Sequence, residues 1–168
     1  MIALDSNLLI YAHRGVMPEH TASRRAIEQA VAAPQGWGIP LPCLAEFWNV
    51  VTHPRVTGHR STTAAAQQFI VNLIEGGGGN LWQPGPDFGR RLVQLAVEMN
   101  ITNGRVFDLQ IALIAFENGA TELWSHDRNF VGAPAYECWI RWQLPHSPPR
   151  LRSLRFLLFQ YPKVYLRV

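Results

Sequence analysis

Apolar residues along the chain fall into short runs separated by polar stops. Ile2, Ala3 and Leu4 form one run that Asp5-Ser6-Asn7 ends, which predicts a buried strand with polar groups at its carboxyl end. Leu8 to His13 continues as a helical turn or short helix. From His20 to Ala33 the spacing of Ala22, Ala26, Ile27, Ala30 and Val31 is helical, and Pro34-Gln35-Gly36 stops it. Residues 38–42 carry two prolines and read as a short extended segment. Helical spacing resumes at Leu44, Phe47, Trp48 and Val51, and His53-Pro54 ends it. Ser61 or Thr62 caps a further helix that runs to about Glu75.

Gly76 to Gly79 breaks that helix and reads as a flexible loop. Leu81 and Trp82 suggest a strand, and Asp87 to Met99 an amphipathic helix. Phe107 to Asn118 is apolar nearly all round, which predicts a central buried helix with Gly119 at its C-terminus. Glu122 to Ser125 is a strand ended by His126-Asp127. Short apolar strands alternating with helices predict an α/β fold, a parallel sheet with helices on both faces. In such folds ligands bind beyond the carboxyl ends of the strands.

Composition narrows the chemistry. Of 168 residues, 48% are hydrophobic and 16% charged, the balance of a folded domain. Lys163 is the only lysine, which excludes a P-loop or Schiff-base mechanism in the main body. Cys43 and Cys138 are too few for a disulfide scaffold and have no metal-binding spacing. The N-terminus lacks the basic, then apolar pattern of a signal peptide, and no apolar run approaches the roughly 18 residues of a membrane span. A cytoplasmic protein is the expectation. The six histidines form no metal-binding spacing, and the glycine run lacks the Lys and Ser/Thr of a Walker loop.

The formal charge of +3 is unevenly spread. Residues 1–130 carry nine basic and eleven acidic groups, whereas residues 131–168 carry six basic groups and one acid. The basic character therefore belongs to the tail. Residues 1–132 form the folded domain in this reading. Residues 133–168 form a basic Trp/Pro/Arg-rich tail with no clear alternation into a final strand.

Four acids stand at strand ends or helix starts: Asp5, Glu46, Asp108 and Asp127. Taken singly each has an ordinary explanation, since Asp5 and Asp108 suit helix caps, Glu46 an exposed helix position and Asp127 a turn. Taken together at one sheet edge they would repel, and a hard divalent cation with oxygen ligands would relieve that repulsion. A bound cation of that kind suits phosphodiester hydrolysis. Spacing alone leaves both explanations open.

The motifs around these acids resemble a known family. Asp5-Ser6-Asn7-Leu8-Leu9-Ile10-Tyr11-Ala12, Pro42-Cys43-Leu44-Ala45-Glu46-Phe47, Phe107-Asp108-Leu109-Gln110-Ile111-Ala112 and Leu123-Trp124-Ser125-His126-Asp127-Arg128-Asn129-Phe130 resemble, in order, the four motifs of PIN domains, especially toxin ribonucleases of the virulence-associated protein C type. The resemblance covers residues 1 to about 130. It implies a three-layer α/β/α sandwich and a Mg²⁺- or Mn²⁺-dependent endoribonuclease that cleaves tRNA, rRNA or mRNA with metal-activated water. Implied partners are the RNA, a cognate antitoxin and a second copy in a homodimer. By motif match Asp5, Glu46, Asp108 and Asp127 hold the metal, and Asn7 and Ser125 orient ligands or substrate. Arg14, Arg24, Arg25, Arg55, Arg60, Arg105 and Arg128 are candidates for phosphate contact, most of them read as ordinary surface charges, and Trp37, Trp48, Trp82 and Trp124 are read as core.

The tail departs from the family, whose members end soon after the fourth motif with one more short strand. It reads as an extension that contacts RNA or membrane, as an amphipathic appendage, or as an out-of-frame terminus. That departure keeps a second function class open, a catalytically silent PIN-like module that binds RNA or protein.

Overall fold

The computed structural model describes residues 1–54, 60–130 and 139–142. Five parallel strands form one sheet: β1 (Ile2–Leu4), β2 (Trp37–Pro40), β3 (Asn80–Trp82), β4 (Glu122–Ser125) and β5 (Trp139–Trp142), in the order β3-β2-β1-β4-β5. The described helices are α1 (Ser6–His13), α2 (His20–Val31), α3 (Leu41–Thr52), α4 (Thr63–Val71), α5 (Phe88–Glu98) and α6 (Arg105–Glu117). The sheet grows outward through β2 and β3, then reverses to add β4 on the other side of β1. Right-handed crossovers put the connections before and after that reversal on opposite faces of the sheet, giving three α/β/α layers. The reversal makes the gap between β1 and β4 a topological switch point, where a crevice opens beyond the carboxyl ends of the strands.

The core follows the apolar runs. All of β1 and β2 is buried, as are Leu123 and Trp124 of β4. In α6, Leu109 and the unbroken stretch Ile111 to Ala115 are buried, as its all-round apolar pattern predicts. Each fully buried Leu or Ile contributes roughly 1.5–3 kcal/mol of transfer free energy before conformational entropy is set against it.

Four details differ from the sequence reading. Helix α3 begins at Leu41, so Pro42 lies in its first turn. A proline is tolerated there because the first-turn N–H groups have no intrahelical acceptor anyway. The glycine run is a packed seat rather than a loose loop. The chain after α4 makes a π turn over Asn72–Gly76, Trp37 donates its indole N–H to Gly77 O at 3.1 Å, and a Cβ at Gly79 would stand 2.6 Å from Trp37 Cη2. Trp48 is 39% exposed, because α3 buries the stripe Cys43, Phe47 and Val51 and Trp48 lies one residue off it.

The fourth difference is β5, a strand beyond residue 132 where the sequence showed no alternation. It pairs in parallel with β4, with Glu122 opposite Trp139 and Ser125 opposite Trp142. Four residues are too few for an alternating pattern to stand out in the sequence, whereas the backbone pairing with β4 is a contact across the fold. The remainder of the predicted tail lies outside the described residues.

Candidate active site

Asp5 stands where β1 stops and α1 starts. Its backbone is extended, and its Oδ1 accepts the Ser6 N–H at 2.7 Å, so it caps α1. The same carboxylate faces the crevice, so cap and cleft position coexist in one residue. Its Oδ2 accepts the Ser125 hydroxyl at 2.6 Å and the Asn7 amide at 2.8 Å. The Ser125 oxygen also accepts from Asn7 Nδ2 at 2.9 Å and from the Asp127 N–H at 3.0 Å. A hydroxyl has two lone pairs and one proton, so with both lone pairs engaged its proton is directed at Asp5. Asn7 is used up as well, because its Oδ1 accepts the His126 N–H at 2.9 Å. This web ties the carboxyl ends of β1 and β4 together.

Burial of Asp5, at 4% exposure, raises its carboxyl to about 6. Hydrogen bonds from Ser125 and Ser6 pull the other way, and the Glu46 charge adds to the rise. Ser6 Oγ lies 2.8 Å from Glu46 Oε2 and 3.3 Å from Asp5 Oδ1, so its single proton serves Glu46 and links the two carboxylates. Beneath Asp5 lies the buried Cys43 thiol, with Sγ 3.9 Å from Oδ1. Its burial, reinforced by the Asp5 charge, pushes the thiol well above its ordinary value and keeps it protonated.

Glu46 is exposed on α3, Asp108 is half-buried in the first turn of α6, and Asp127 is exposed just after β4. Asp108 is therefore not the cap of its helix, since Gly104 holds that position. All four acids and Asn7 line one cleft of about 1060 Å³. Ser125 lies under its floor, buried, and acts on the cleft through Asp5 and Asn7.

Among the described residues, no three Asp, Glu, His or Cys side chains converge into a closed metal cage. The donor set nonetheless fits a hard divalent ion. It is all oxygen, two of its carboxylates are electrostatically coupled through Ser6, and Mg²⁺ keeps several waters and needs only one or two direct carboxylates. Asp5 and Glu46, joined by Ser6, would be the residues to hold such an ion, and Asp108 and Asp127 line the same cleft.

Two residues on the cleft, Ser6 and Phe107, were given no role from the sequence, and a third, Arg14, was only one of seven arginines named there. Ser6 bridges two acids. Phe107, 63% exposed, flanks Asp108. Arg14 lines the cleft rather than the outer surface. Asn7, Ile10, Tyr11 and Arg14 recur at helical spacing, so a one-face reading of α1 from Asn7 would have found Arg14. His13 points elsewhere, with Nε2 2.8 Å from Ser61 Oγ and its ring against Phe47 and Phe69.

The PIN domain family model matches residues 2–135, the span that holds the four strands β1 to β4 and all four acids. The chain belongs to the PIN domain family. It is 31% identical over 145 residues to ribonuclease VapC43 of Mycobacterium tuberculosis, covering 86% of this chain and 95% of that protein. With ribonuclease VapC31 of the same organism it shares 28% over 130 residues, 77% of this chain and 91% of the relative. Among solved structures it is similar to VapC20 of M. tuberculosis, a toxin that cleaves the sarcin-ricin loop, with a TM-score of 0.59 at 15% identity over 77% of this chain and 92% of that one. VapBC2 of Rickettsia felis, bound to a DNA fragment from its promoter, gives 0.54 at 17% identity over 77% and 90%. These two structural likenesses concern the fold.

Proposed function

We propose that this protein is a Mg²⁺- or Mn²⁺-dependent endoribonuclease, the toxin of a toxin–antitoxin pair, acting on RNA in the cytoplasm. The observation that carries the reading is the gathering of Asp5, Glu46, Asp108 and Asp127 along one cleft, with Asp5 buried and held by Ser125, Asn7 and Ser6. The relatives named ribonuclease VapC support RNA as the substrate and an antitoxin as the partner.

Within this reading each residue has a defined task. Asp5 and Glu46 hold the ion, and Asp108 and Asp127 complete its surroundings directly or through water. Ser125 and Asn7 hold the Asp5 carboxylate in one orientation, so that little rearrangement is needed when an ion arrives. The ion, when bound, favours ionisation of water and neutralises charge on a phosphoryl oxygen. Asp127 or Asp108 would orient the attacking water and accept its proton.

The test is cleavage of single-stranded RNA by the full chain with Mn²⁺, after chelation, and after Mn²⁺ is restored. Cleavage that stops on chelation and returns with the ion is expected. Cleavage indifferent to chelation overturns the metal assignment, and no cleavage under any condition leaves the silent binding module.

A further inference from the structure

We propose that Arg14 is a substrate-binding residue that holds a second phosphate of the RNA strand, a short way along from the scissile one, an inference that rests on the ribonuclease reading above. Arg14 is the one Lys or Arg among the described residues that line the acidic cleft. Four carboxylates repel a polyanion, so a cation placed in their cleft has a large effect on which part of the strand can settle there.

The side chain is set for this task. Arg14 closes the C-terminus of α1, and its Nη2 donates to Val50 O of α3 at 2.8 Å. That bond anchors the guanidinium at the cleft through Nη2, and since Nε is buried, a ligand would meet the remaining Nη N–H groups. Among the described residues Arg14 forms no ion pair, although acids share its cleft. A phosphate suits those groups because it accepts charge-assisted hydrogen bonds.

Position supplies the register. Asp5 caps one end of α1 and Arg14 closes the other, and the helix of eight residues between them spans about 12 Å. Asn7, Ile10 and Arg14 lie along the face that lines the cleft. A strand with its scissile phosphate at Asp5 that runs along this face brings a phosphate one or two nucleotides further on to Arg14. An acidic segment of a protein partner is the competing occupant, and the RNA-binding measurement below separates the two.

The experiment compares Arg14→Gln and Arg14→Lys in the full chain. For cleavage of a single-stranded RNA oligonucleotide, Arg14→Gln is expected to raise KM about tenfold with kcat little changed. Binding of the same RNA to the Asp108→Asn protein, measured from low to high salt, gives a log–log slope. Arg14→Gln added to that protein should reduce the slope by about 0.7, the value of one single-strand phosphate contact, and Arg14→Lys should restore it. A strut between α1 and α3 would alter thermal stability and not the salt slope. An unchanged slope and KM in a folded Arg14→Gln protein overturns the proposal and assigns Arg14 to a protein carboxylate or to the strut alone. Absence of cleavage by the unsubstituted chain is a different result, and it overturns the ribonuclease reading together with this one.

Discussion

Ser125 donates its hydroxyl to Asp5 Oδ2 at 2.6 Å, across 120 residues of sequence and between the two strands that flank the switch point. No other side chain could replace it isosterically except threonine, because the same oxygen accepts from Asn7 and from the Asp127 backbone. Ser125→Ala removes the donor to Asp5 and leaves two N–H groups without their acceptor. Loss of this supporting contact should lower cleavage about 10- to 100-fold, in the range found for residues that hold metal ligands. Since Ser125 also draws the Asp5 carboxyl downward, the midpoint of the pH–rate profile should move up in Ser125→Ala. Ser125→Thr should retain most activity. A profile and rate unchanged in Ser125→Ala would show that the contact is idle.

Asp5 links stability to pH in the metal-free protein. Its carboxyl titrates at about 6 when folded, against 3.8 as the ordinary value. The folded state therefore binds the proton more tightly, and the stability so gained is complete below the lower value and lost as pH rises through the upper one. The difference in urea stability between the unsubstituted protein and Asp5→Asn, measured in chelator, should change by up to roughly 3 kcal/mol across that window. Added Mg²⁺ should recover part of the loss above the window, because the ion prefers the ionised carboxylate. A difference flat with pH would contradict the burial assigned to Asp5.

Gly79 tests the packed seat under Trp37. A methyl group there would meet Trp37 Cη2 at 2.6 Å and Cζ2 at 2.7 Å, with Leu73 O at 3.1 Å. Trp37 is fully enclosed in β2 and cannot step aside. Gly79→Ala should cost about 1–3 kcal/mol, the usual penalty of overpacking, measurable by denaturant titration. Gly78→Ala has no such clash but sits at φ +66°, where a side chain strains the backbone, so its cost has a different origin.

His13 separates stability from chemistry. Its ring packs edge-on against the stacked pair Phe47 and Phe69, and burial followed by the Arg14 charge lowers its pKa, which favours the neutral ring. His13→Ala should destabilise the chain by about 1–3 kcal/mol while leaving cleavage per folded molecule unchanged. A collapse of kcat in a folded His13→Ala protein would place the imidazole in the reaction.

Much of this was legible in the sequence because the signals were local. Short apolar runs ended by polar residues marked β1 and β4, the prolines of residues 38–42 marked β2 as extended, and the all-round apolar pattern of Ile111 to Ala115 marked a buried helix. Asp5 could be singled out because it follows a strand directly, and Asn7 through the motif it belongs to. The bridge made by Ser6 and the place of Arg14 on the cleft were not legible, since each depends on a contact across the fold, Ser6 to Glu46 and Arg14 to Val50 O. The seat at Gly79 was hidden for the same reason, as a glycine run looks alike whether it is solvated or pressed on an indole. Strand β5 is four residues long, too short for an alternation to announce it, and its pairing with β4 is again a contact across the fold.

The most direct test of the four-acid site is the initial rate of RNA cleavage at saturating Mn²⁺ for Asp5→Asn, Glu46→Gln, Asp108→Asn and Asp127→Asn, each checked for folding and repeated after chelation. All four should fall at least about 100-fold, toward the rate that the chelated parent protein shows. Full activity in a folded Asp5→Asn or Asp108→Asn protein, or activity of the parent protein that outlasts chelation, would contradict the account.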